Sequence, residues 1–110
     1  MMTDEKFIQA TKDALERYKN TGSDLTKEMT IEFFVVSKTD NFVDFIRDLM
    51  RYNSNFSTVI ERNIKGEEFT CYCKITIIPE LYTVLEIEEN LMQLGNKYGC
   101  YYDGFGSFGN

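Results

Sequence analysis

The sequence predicts an α+β fold, with an N-terminal helix followed by the order β-α-β-β-α-β around one antiparallel sheet. Three observations carry this. Residues 29–36 and 69–77 place apolar side chains at every second position, the period of a strand. Three other stretches, starting near residues 4, 42 and 79, repeat apolar residues at helical spacing. All of it falls within 110 residues, a length for one domain, so residues 1–110 are read as a single unit.

Thr3 is the expected cap of the first helix, with Asp4 and Glu5 suited to the positive end of its dipole. Phe7, Ile8, Ala14, Leu15 and Tyr18 form its apolar stripe, and Gly22 stops it, which predicts a helix over 4–20. Met29, Ile31, Phe33 and Val35 then alternate with Thr30, Glu32, Phe34 and Val36 in a first strand. Residues 37–40 offer cap chemistry for a second helix, marked by Phe42, Phe45, Ile46 and Leu49 and broken at 53–55. Phe56, Ile60 and Ile64 indicate a second strand, joined through Lys65, Gly66 and Glu67 to a third as a hairpin.

In that third strand Phe69, Cys71, Cys73, Ile75 and Ile77 share one face. Pro79 is expected at the first position of the last helix, where its missing N–H costs nothing. Val84, Ile87, Leu91, Leu94 and Tyr98 continue that helix to Gly99, and residues 100–102 are expected as a short last strand. Two split β-α-β units of this kind make the ferredoxin-like arrangement, with the first and third strands central. Phe33, Val35, Cys73, Ile75, Val84 and Leu91 are the expected core; the opposite sheet face is available to the first helix, and the sequence leaves open whether the helix covers it.

Composition narrows the function. The net charge of −6, from 18 acids against 12 bases, repels phosphate backbones, so direct nucleic-acid binding is disfavoured and a basic protein surface favoured. The sequence has no histidine, which removes Ser-His and Cys-His nucleophile pairs and His-ligated metals. Three cysteines, Cys71, Cys73 and Cys100, are an odd set, expected as reduced thiols packing as small hydrophobes. No apolar run approaches the roughly 20 residues of a membrane helix, and the acidic N-terminus is unlike a signal peptide. The expectation is a cytoplasmic protein that is not an enzyme, with no catalytic residues, no metal and no cofactor.

The stretch Thr21, Gly22, Ser23, Asp24, followed by residues 29–32, and the ending Tyr102, Asp103, Gly104, Phe105, Gly106, Ser107 resemble the regulator of ribonuclease E activity B (RraB) family. There the features are a glycine-serine-aspartate turn after a first helix and a tyrosine-aspartate-glycine-tryptophan-glycine ending; Phe105 stands here in place of the tryptophan. The resemblance implies a ferredoxin-like fold and a non-catalytic role. The best-known member binds the scaffold part of ribonuclease E and slows RNA turnover, which implies a protein partner here, a basic segment of a ribonuclease.

Four residues are singled out for partner binding. Tyr102, Asp103 and Phe105 lie in a glycine-rich turn, where aromatics make good anchors; the alternative is a purely structural turn held by Asp103. Glu88 falls inside the apolar arc of the last helix, so it must be paired, protonated or at a rim; a rim residue reaching water is the expectation, with partner contact the alternative. Rival functions are a toxin-neutralising inhibitor, an RNA-binding sheet using Phe34, Tyr72 and Lys74, and a thiol-dependent enzyme.

Overall fold

A computed structural model describes residues 4–63, 65 and 67–110. Along the chain come α1 (Glu5–Asn20), β1 (Met29–Ser37), α2 (Val43–Tyr52), β2 (Ser57–Arg62), β3 (Phe69–Ile77), α3 (Leu81–Lys97) and β4 (Tyr101–Gly106). The strands pair in the order β2-β3-β1-β4, every pair antiparallel. This is the α+β fold the sequence predicts. The two strands with the cleanest alternation, β1 and β3, are central, where the helices cover their apolar face.

The register shows the reason. Ile31 opposes Ile75, Phe33 opposes Cys73 and Val35 opposes Cys71, and all six are buried. A slip of one residue would turn that row to water. Phe42, Phe45 and Leu49 from the α2 segment, Val84, Ile87 and Leu91 from α3, and Leu15 from α1 close over it in one cluster. The expected core residues Phe33, Val35, Cys73, Ile75, Val84 and Leu91 all belong to that cluster. Cys71 and Cys73 are free thiols inside it, their sulfurs 3.9 Å apart. The hydrogen bond with the neighbouring Cys71 sulfur, and then burial, push the Cys73 thiol far above its ordinary range.

Several local expectations are corrected. Asp4 caps α1, accepting from the backbone N–H groups of Lys6 and Phe7, while Thr3 lies outside the described residues. The start of α2 has no side-chain cap; Phe42 occupies the cap position, and Ser37 Oγ instead accepts from the Thr39 N–H. Pro79 is buried just before the Glu80 cap of α3, so it precedes the helix and does not begin it. Ile64 and Gly66, expected in the second strand and its turn, lie outside the described residues; the Asn63 N–H donates to the Glu68 carbonyl at 2.9 Å across that connection. β4 runs on to Gly106, past the expected end at Tyr102, because Phe105 finds a partner in Phe33.

The structure also decides where α1 packs, which the sequence left open. It packs on α3, on the helical side of the sheet, and does not cover the opposite face. Phe34, Tyr72 and Lys74 therefore stay partly exposed on that face.

A candidate binding groove between the first helix and the last strand

The apolar stripe of α1 explains where it goes. Phe7, Ala10, Thr11 and Ala14 follow i, i+3, i+4, i+7 and so share one side of a helix. Small side chains at 10 and 14 keep the helix close to its neighbours but leave space. Together with Glu88 of α3 and residues 102–105 of β4 they line a groove of about 370 Å³.

The β4 wall depends on a bulge. Phe33 opposes Phe105 and Val35 opposes Tyr102, so three steps along β4 match two along β1. In a regular strand residues three apart point to opposite faces. The extra residue turns Tyr102 and Phe105 to the same side, with ring centroids 6.5 and 5.7 Å from Phe33. Gly104 takes φ of +105° inside this bulge, a torsion L side chains rarely adopt.

Glu88 sits under the groove at 3% exposure. Thr11 Oγ1 donates to its Oε1 at 2.7 Å, and the Tyr102 hydroxyl donates to its Oε2. The expected rim residue is thus a buried, doubly bonded one. A carboxylate on the α3 face turned toward α1 is almost shut off from water, and the hydroxyls of two other elements take its place. Burial raises its pKa, opposed by the two hydroxyl hydrogen bonds. Tyr102 is pushed well above its ordinary range by burial and then by the Glu88 charge.

All four singled-out residues therefore line one groove, in different ways. Asp103 is exposed at its margin, Phe105 and Tyr102 are half-buried in its wall, and Glu88 is buried. Thr11 escaped the sequence reading. Its signal was a hydroxyl at the centre of the stripe formed by Phe7, Leu15 and Tyr18. Among the described residues no group of three or more His, Cys, Asp or Glu is arranged to hold a metal ion, and no helix is long and apolar enough to cross a membrane.

Comparison with curated proteins gives no match. A family model described as RraB, regulator of ribonuclease activity B, matches residues 8–107. The matched span takes in nearly all of α1, the whole sheet, the buried Glu88 and the glycine-rich strand that walls the groove. With nearly the whole chain matched, this protein belongs to the RraB family, the regulators of ribonuclease activity.

Proposed function

We propose that the protein is a non-catalytic regulator that binds a basic segment of a ribonuclease, as the family's best-known member binds the scaffold region of ribonuclease E, and that the groove between α1 and β4 receives it. The observation that carries this is convergence: Glu88 and the 102–105 turn, chosen separately from the sequence, line one open groove with apolar walls and the exposed carboxylate of Asp103 at its edge. Such a groove suits an apolar anchor side chain next to a cationic one. A non-catalytic role is supported by the chemistry on hand. Among the described residues the one buried carboxylate already accepts from two hydroxyls, and all three thiols are buried.

Phe105 is a poor test by itself, since its ring packs on Phe33 and its truncation loosens the core. Ala10→Arg and Asp103→Ala act on exposed groove residues instead. With the ribonuclease E scaffold segment as probe, each is expected to weaken binding by about tenfold or more while the melting temperature stays unchanged. Full-strength binding by the Ala10→Arg variant would sink the groove reading.

A further inference from the structure

Among the described residues no helix covers the opposite face of the sheet, and β2 is its outermost strand on one side. No strand among the described residues pairs with the outer side of β2. Edge strands are commonly guarded by proline, lysine or a bulge. β4 has its bulge, whereas β2 has neither proline nor lysine, carries its charges, Glu61 and Arg62, only at one end, and pairs with β3 in unbroken register. Val59 and Ile60, at its centre, are 46% and 41% exposed.

Beside this edge the open face has a particular chemistry. Glu32, Val59, Glu61, Tyr72 and Lys74 line a hollow of about 210 Å³. Tyr72 stands edge-on to Phe34 at 5.5 Å, and the Phe34 ring lies over Gly106, where an added Cβ would come within 3.2 Å of it. Tyr72 stands opposite Val59 of β2, and Glu61 lines the same hollow. Lys74 stands directly opposite Glu32 across the β1–β3 pair, which leaves Glu61 as the carboxylate nearest the free edge.

We propose that the outer edge of β2 accepts an extended segment of a protein partner as a fifth strand, and that an arginine of that segment reaches over Val59 to Glu61 and the Tyr72 ring. A strand added there lies about 4.8 Å beyond β2, within the length of an arginine side chain. A guanidinium both stacks on an aromatic face and pairs with a carboxylate, which an ammonium does less well. The net charge of −6 selects this occupant. It repels a second copy of the same chain, also at −6, and it repels RNA, while it attracts a basic segment. This surface lies on the far side of the sheet from the groove, and the inference goes beyond the groove reading without relying on it.

The test uses an eight-residue peptide alternating threonine and arginine, a threonine–lysine peptide of equal length, and oligouridylate. Nuclear magnetic resonance is expected to show the arginine peptide shifting and protecting β2 amides and shifting Tyr72. Ile60→Lys and Glu61→Gln should each weaken it about fivefold to tenfold, and the lysine peptide should bind several times more weakly. The groove variant Ala10→Arg should leave peptide binding unchanged. Shifts confined to α1 and β4, with loss on Ala10→Arg, would overturn the edge proposal while leaving the groove intact. Equal binding of the lysine peptide, oligouridylate on the same face, or a dimer whose formation is abolished by Ile60→Lys would each overturn it as well.

Discussion

Of the tyrosine hydroxyls that donate to carboxylates, those of Tyr102 and Tyr98 meet Glu88 and Asp48, and these two carboxylates respond in opposite senses. Glu88 is enclosed by α1, α3 and β4, and burial outweighs its two hydroxyl partners, raising its pKa. Asp48 ties α2 to the end of α3 near the surface, with Lys97 Nζ at 3.1 Å and Arg47 Nε at 3.4 Å. The hydrogen bond from Tyr98, then that from Lys97, hold it down to about 2. The same bond type therefore does different work. Where water and cations are within reach it adds little to the fold; where they are not, the hydroxyls are all that satisfies the charge.

The largest expected effect follows from that contrast. Glu88→Ala leaves the Thr11 and Tyr102 hydroxyls buried without their acceptor, and a loss of about 3 kcal/mol is expected in urea unfolding. Asp48→Ala should cost clearly less. Equal losses would break the comparison. Next comes Tyr102→Phe, which leaves Glu88 with Thr11 alone and is expected to cost about 1–2 kcal/mol. Tyr98→Phe should cost less, because Asp48 keeps Lys97 and Arg47.

pH sharpens the contrast further. Because the folded pKa of Glu88 lies above its ordinary 4.5, the folded state binds that proton more tightly than the unfolded state. Its contribution is most favourable below about 4.5 and falls as pH rises through the folded value. Glu88→Gln is therefore expected to flatten the decline of stability on the alkaline side of pH 4.5, read from urea midpoints across pH 4–8. Asp48 gives the opposite and smallest effect. Its folded value is depressed from 3.8 to about 2, so its contribution is present above 3.8 and lost as pH falls toward 2. Asp48→Asn should remove that contribution, lowering stability slightly at neutral pH and leaving it unchanged near pH 2, so that the acid limb flattens.

The placement of α1 shows how far the sequence could be read. Its length, its stripe and its end at Gly22 follow from local spacing, and the helix over 5–20 agrees with the expected 4–20 to one residue. Its destination does not. The same stripe could lie on the open sheet face or on α3, and the choice rests on Thr11 meeting Glu88, 77 residues away. The glycine-rich ending is a similar case. Tyr102 and Phe105 were recognisable as a pair, but a strand period of two assigns them to opposite faces, and only the β1 register reveals the bulge that unites them.

By itself the sequence determined the α+β class, the strands that became central, the buried face of each and the six expected core residues. These follow from periodicity, and periodicity is a property of neighbours along the chain. The tertiary structure alone decided that Glu88 is buried and paired, that α1 leaves one sheet face open, and that β4 turns two aromatics inward past a glycine at φ of +105°. Each of those depends on a partner brought close only by folding. A buried carboxylate or an unmatched strand residue settles where hydrogen bonds and packing are best satisfied across the whole molecule, and no local pattern contains that information.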